Sequence, residues 1–112
     1  MSLDVSLVVR VGVNQKEIEV YTRNITHNLN IMAGEAGIYK HVWRPEELNI
    51  TNAIELINPL TEGLELLKSD PDRFKKFNPE NGWGNYGILV EFVAKYLEAC
   101  KEFPETEILA NR

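Results

Sequence analysis

Tyr86, Leu89, Val90, Val93, Tyr96, Leu97 and Cys100 recur at three- and four-residue spacing with polar residues between them, and this pattern constrains the chain more than any other. That period puts the seven side chains on one stripe of a helix, which must be buried against other elements. Phe92 and Phe103 widen the stripe, so the helix is expected to lie across a sheet with a second neighbour alongside. The other end of the chain has a different period. Leu3 to Val13 is rich in β-branched residues, and Lys16 to Thr22 alternates strictly, with Ile18, Val20 and Thr22 expected on one face. Gly12 to Gln15 is the natural turn between the two runs, which predicts an antiparallel hairpin. A lone hairpin is marginal in water, so a further strand or a covering helix is required. After the break at Pro104, Thr106-Glu-Ile-Leu-Ala110 is extended in character and supplies that strand, bringing the chain ends together.

The middle of the chain reads as helices separated by caps. Ile25 to about Val42 carries Leu29, Met32, Ala33 and Ala36 at helical spacing, with an interruption expected at Gly37 and a stop at Arg44-Pro45. Asn52 with Glu55 resembles a capping box, Asn58-Pro59 has the form of a cap followed by a first-turn proline, and Asp70-Pro71 repeats that form. The last of these should open a short turn carrying Phe74 and Phe77. Together these signals predict an α+β fold: a small three-stranded antiparallel sheet, made of the N-terminal hairpin plus a C-terminal strand, packed against three to five helices. The 112 residues fit a single domain, 1–112.

Composition excludes several classes of function. With 44% hydrophobic and 26% charged residues the chain is of ordinary globular type, not of a disordered one. A formal charge of -5 argues against duplex nucleic acid, because phosphate binding needs clustered cations. The one basic cluster, Arg73, Lys75 and Lys76, sits among Asp70, Asp72 and Glu80 and reads as a solvated mixed-charge surface. Cys100 is the only cysteine and lies on the apolar stripe, where it reads as a small hydrophobe rather than a thiolate. No stretch approaches the ~20 apolar residues of a membrane span and no secretory leader is visible, so a cytoplasmic location is expected. The Asn-Ile-Thr triplets at Asn24 and Asn49 are then chance matches to a glycosylation pattern or structural caps.

Polar and aromatic residues crowd three element boundaries: Asn24-Ile-Thr-His-Asn-Leu29, Trp43-Arg44-Pro45 and Asn78-Pro-Glu-Asn-Gly-Trp-Gly-Asn-Tyr86. Amides with fixed geometry and rigid aromatic faces are the material of ligand recognition. The candidate ligand-binding residues are Asn24, Thr26, His27, Asn28, Trp43, Arg44, Asn78, Trp83 and Tyr86. Several also have a plain structural explanation, although capping alone does not account for Asn24, Thr26, His27 and Asn28 together. Asn24 or Thr26 can cap a helix, His27 can be a satisfied structural residue, and a tryptophan between Gly82 and Gly84 can plug the core beneath a loop. Glu46 and Glu47 after Pro45 are better explained by helix electrostatics than as an acid/base pair. His27 and His41 lie fourteen positions apart with no HExxH, so the pattern names no metal and no cofactor. No GxxxxGK[ST] or GxGxxG loop is present either.

The blocks Tyr21-x-x-Asn-Ile-Thr-His-Asn-Leu29, Met32-Ala-x-x-Ala-Gly-Ile-Tyr39, Trp43-Arg-Pro-Glu46, Phe77-Asn-Pro-x-Asn-Gly-Trp-Gly84 and Tyr96-Leu-x-Ala-Cys100 resemble a small uncharacterised protein family of bacteriophages and bacteria. The resemblance covers nearly the whole chain. It implies a phage-type accessory context and carries over no catalytic residue, activity or cofactor.

The expectation is a non-enzymatic module in which the three blocks form one pocket for a small planar, anionic ligand such as a nucleotide. Trp43 or Trp83 would stack on the ligand, the asparagines would read it and Arg44 would pair with its charge. One alternative makes His27 the general acid or base of an enzyme. Another is a protein-interaction surface that docks on a host protein, or on a second copy as a homodimer through an open sheet edge.

Overall fold

The hairpin forms where the β-branched run and the alternation place it. In the computed structural model, which describes residues 1–112, β1 (Ser2–Val11) pairs antiparallel with β2 (Lys16–Thr26). Gly12 turns the chain at φ 73°, where a side chain would be disfavoured, and its carbonyl accepts from the Gln15 N–H at 3.1 Å. β3 (Glu107–Asn111) adds antiparallel to the other side of β1, giving the order β2-β1-β3. Asp4 thus sits opposite Asn111, and the two ends of the chain meet.

One expectation about the hairpin fails for a local reason. Ladder pairing steps from Leu7 opposite Tyr21 to Val8 opposite Glu19, so Val20 is an extra residue and the strand bulges. A bulge reverses which face each later side chain takes. Ile25 is therefore buried and Tyr21 packs against the core, whereas Thr22 turns to the far face and hydrogen-bonds Ser6 between their hydroxyls at 3.2 Å. Ile18, Val20 and Thr22 do not share a face. Beyond the bulge the hairpin leaves the body: every residue from Arg10 to Glu19 is exposed, and the molecule measures 50 × 27 × 22 Å.

β2 also runs further than expected, to Thr26, so Asn24 is a strand residue and not part of a helix start. The helix expected from Ile25 to Val42 is divided. A 3₁₀ turn (His27–Leu29) leads into α1 (Asn30–Glu35), Gly37 reverses the chain at φ 79°, and α2 (Tyr39–Trp43) follows and stops before Arg44-Pro45. The interruption and the stop fall where glycine and proline put them.

Two 3₁₀ turns, Pro45–Leu48 and Ala53–Leu56, connect to α3 (Ile57–Ser69). The capping box is displaced: Glu55 reaches back to the Thr51 N–H at 3.2 Å, and the Asn52 amide oxygen accepts from the Thr51 hydroxyl at 2.8 Å instead of capping. Asn58 and Pro59 lie inside the first turn of α3, because the preceding 3₁₀ turn feeds directly into the helix at Leu56. Asp70 does cap, accepting the Arg73 N–H at 3.3 Å, and Pro71 opens α4 (Pro71–Lys75) with Phe74 buried. Arg73 bonds Glu35, so the basic cluster is partly neutralised.

α5 (Tyr86–Glu102) buries Leu89, Phe92, Val93, Tyr96, Leu97 and Cys100 against α3 and β2, as its period requires. Tyr96 stacks on Tyr21 at 6.0 Å between ring centres, and Phe92 meets Tyr96 edge-on at 5.7 Å. All the buried hydrophobic residues but Val8 form one cluster drawn from strands and helices alike, so the α+β layers share one core. No helix is long and apolar enough to cross a membrane.

Candidate functional site

The loop from Asn78 to Asn85 is held by its own asparagines. The Asn78 amide oxygen accepts from the Tyr86 N–H at 2.8 Å, that of Asn81 from the Trp83 N–H at 2.9 Å, and that of Asn85 caps α5 at the Ile88 N–H at 3.0 Å. Short amide side chains favour such turns because they can replace backbone partners. Gly82 and Gly84 take φ 77° and 99°. At Gly84 the loop presses on the end of β2 so closely that a Cβ there would lie 2.8 Å from Thr26 Cγ2 and 3.1 Å from Leu29. The Trp83 carbonyl accepts from Asn28 Nδ2 at 3.3 Å. Backbone bonds therefore hold Trp83 on both sides, while its side chain projects into solvent and the residue is 72% exposed.

Beside the indole an open cleft of about 500 Å³ is lined by Met1, Thr26, Asn28 and Trp83. Thr26 caps the 3₁₀ turn, its hydroxyl oxygen accepting the Asn28 N–H at 3.3 Å. The Asn28 amide must point its nitrogen at the Trp83 carbonyl, since a carbonyl needs a donor. None of the four lining side chains carries a charge.

His27 stands between this cleft and the core. Its Nδ1 accepts the indole N–H of Trp43 at 3.0 Å. An indole N–H can only donate, so the neutral imidazole carries its proton on Nε2. Trp43 is 1% exposed and stacks on Tyr39 at 5.8 Å. It is therefore the tryptophan that plugs the core, and it offers no face to a ligand.

Thr26, Asn28 and Trp83 are the expected residues that meet at the cleft, with His27 adjacent. The rest have other partners. Asn24 Nδ2 donates across the sheet to Ser2 at 2.8 Å and Asp4 at 2.7 Å. Arg44 Nε donates to the Tyr39 hydroxyl at 3.1 Å and its Nη1 to Glu47 at 3.1 Å. The Tyr39 bond, then Glu47, holds the guanidinium pKa above its ordinary value. Asn78 serves the loop, and the Tyr86 hydroxyl donates to the Leu67 carbonyl at 2.7 Å. The three boundary blocks thus do not form one pocket: the first and third converge, Trp43 reaches the first through its bond to His27, and Arg44 turns to Tyr39 and Glu47.

Other reactive groups are quiet. Burial pushes the Cys100 thiol up to about 12. Burial also lowers the pKa of His41, whose Nδ1 is enclosed without a hydrogen-bond partner. Glu46 pairs with Arg112, and Glu47 with Arg44 and Lys40. No three His, Cys, Asp or Glu side chains converge as metal ligands. A second groove of about 410 Å³ follows the outer edge of β3 past Pro45 and Ile50, and holds none of the expected site residues. Sequence reasoning missed Asn81 and Asn85 as loop fasteners; four asparagines between positions 78 and 85 or facing them at Asn28 were the available signal.

Fold and site together define an α+β protein with an exposed tryptophan, fixed in its backbone, beside a largely apolar cleft that no charged side chain lines. Comparison of the chain with protein-family models, with curated proteins and with solved structures finds no match.

Proposed function

We propose that the chain is a non-enzymatic binding module whose ligand is small and planar, such as a nucleotide, and stacks on Trp83 in the cleft with Thr26 and Asn28. One observation carries this reading: the Trp83 backbone is bonded on both sides by Asn81 and Asn28 while the residue is 72% exposed. A large apolar ring held out in water from a rigid loop has surface left to bury, and indole faces favour planar partners. Rigidity lowers the ordering cost of binding. Arg44, committed to Tyr39 and Glu47, lies outside this version of the site.

The enzyme alternative is less well supported, because Nδ1 of His27 already accepts the Trp43 indole N–H and the neutral ring then carries its proton on Nε2, a donor rather than a ready base. The test is a fluorescence and calorimetric titration with nucleosides and nucleotides, with the mass of each recovered ligand checked. Trp83→Ala should weaken binding by about 1–3 kcal/mol, the usual worth of one aromatic stack on a base. Unchanged affinity in that variant, or a chemically altered ligand, would remove the reading. A host protein captured in place of any small molecule would favour an interaction surface instead.

A further inference from the structure

The polar atoms left free around Trp83 specify which part of a ligand the cleft can read. Asn28 spends one N–H of its amide on the Trp83 carbonyl, which leaves its Oδ1 as an acceptor beside the second N–H. Thr26 spends its oxygen on the Asn28 N–H, so its hydroxyl proton remains as a donor. These two residues are neighbours on one turn and line one cleft with the indole. An acceptor and a donor that line one cleft with a stacking face fit a planar ring edge that presents a donor and an acceptor. The pairing edge of a nucleobase has that pattern: in adenine, the exocyclic amine and N1.

The charges point the same way. Arg23 is paired with Glu91, Arg44 with Glu47, Arg73 with Glu35 and Arg112 with Glu46. No Lys or Arg side chain lines the cleft, and the one cation Met1 brings to it, the terminal ammonium, is a single charge without a fork of donors. A phosphate placed there would find no guanidinium fork or lysine to bond, whereas sites that recognise phosphate supply charge-assisted donors.

Resting on the binding role proposed above, we infer that the cleft recognises the base of its ligand and not the phosphate, so that an uncharged nucleoside is a sufficient ligand. Trp83 supplies the stack, Asn28 Oδ1 accepts from the ring edge and the Thr26 hydroxyl donates to it. This replaces the anionic ligand expected from the position of Arg44 beside Trp43.

Adenosine, AMP and ADP are titrated into the full chain at low and high salt, with Thr26→Val, Thr26→Ser and Trp83→Ala in parallel. The three ligands should bind within about twofold of one another and without salt dependence, since exposed charges would otherwise be screened. Thr26→Val should weaken all three alike and Thr26→Ser should restore them, which loss of the cap alone would not separate from unfolding unless the melting curves of the two variants are matched. An affinity that climbs with each phosphate and falls with salt overturns the inference while leaving the binding role standing, whichever cation is responsible, the Met1 ammonium included. Absence of saturable binding by all three ligands overturns both.

Discussion

The indole N–H of Trp43 donates to Nδ1 of His27 across 3.0 Å, tying the floor of the core to the turn that borders the cleft. The bond fixes the imidazole tautomer, and it makes a surface histidine part of the packing of a buried ring. Structure and site are therefore coupled at this pair.

His27→Phe should leave the buried indole N–H without an acceptor and cost about 1–3 kcal/mol, the usual penalty for an orphaned buried donor. Urea denaturation of the single variants, Trp43→Phe and the double variant gives the coupling. Strictly additive losses would show that the two side chains do not act on each other.

The two loop glycines should separate cleanly. Gly82→Ala meets open space at φ 77° and should lose about 1 kcal/mol from backbone strain alone. Gly84→Ala adds a clash with Thr26 and Leu29 to a φ of 99°, and overpacking of that kind adds roughly 1–3 kcal/mol. Gly84→Ala should also change the environment of Trp83, read as its emission. Equal melting temperatures for the two variants would contradict the close seating of the loop on β2.

Tyr96→Phe is expected to be neutral or stabilising, by about 1 kcal/mol, because it removes a buried hydroxyl that has no partner while keeping the stack on Tyr21. A clear loss of stability in thermal unfolding would mean that the hydroxyl is hydrogen-bonded in solution, through an internal water.

Alkaline stability should follow the buried acids. Burial raises Cys100 from 9.0 to about 12 and holds Tyr96 well above its usual 10.0. The unfolded chain ionises first, so their contribution is complete below about pH 9 and declines as the pH climbs toward 12. Denaturant midpoints between neutral and strongly alkaline pH check this, and Cys100→Ala should shallow the decline. The thiol should resist a disulfide reagent in the folded chain at mildly alkaline pH and react once the chain unfolds.

Acid stability carries the opposite sign at His41. Burial depresses its pKa below 6.5, with the nearby Gly37 backbone carbonyl opposing the shift. The unfolded chain takes up the proton first as the pH falls through 6.5, and the stability due to the neutral imidazole is lost from there downward. Melting temperatures of the parent and His41→Gln across mildly acidic pH should converge as the pH drops. Parallel curves would mean that His41 is not enclosed in solution.

Much of this architecture was legible in the sequence because it rests on period and punctuation. The α5 stripe, the Gly12 turn, the Gly37 break and the Asp70-Pro71 start are each set by neighbours a few residues apart, which a linear reading contains. What failed depends on tertiary choices. The bulge at Val20 leaves no mark in composition, yet it moved Thr22 to the far face. The Asn52 amide oxygen takes the Thr51 hydroxyl instead of the Glu55 N–H, and the Glu55 carboxylate takes the Thr51 N–H instead of that of Asn52, so neither half of the capping box forms. The tryptophans were the harder case. Trp43 beside Arg44 looked exposed, and Trp83 between glycines could as well have been a plug. Only the long-range bonds from Trp43 to His27 and from Asn28 to the Trp83 carbonyl assign the two roles.

The projecting end of the hairpin gives the molecule two levels of cooperativity. From Arg10 to Glu19 no residue is buried, and outside the strand ladder the tip is tied down by the Arg10 bonds to Glu17 and Glu107. Fraying the tip back toward the bulge breaches no part of the core, so it costs only its own ladder and those ion pairs. Amide protons there should trade with solvent long before those of Leu3, Val5 or Ile25, and the arm can sample new positions, or new neighbours, while the body and its cleft stay folded.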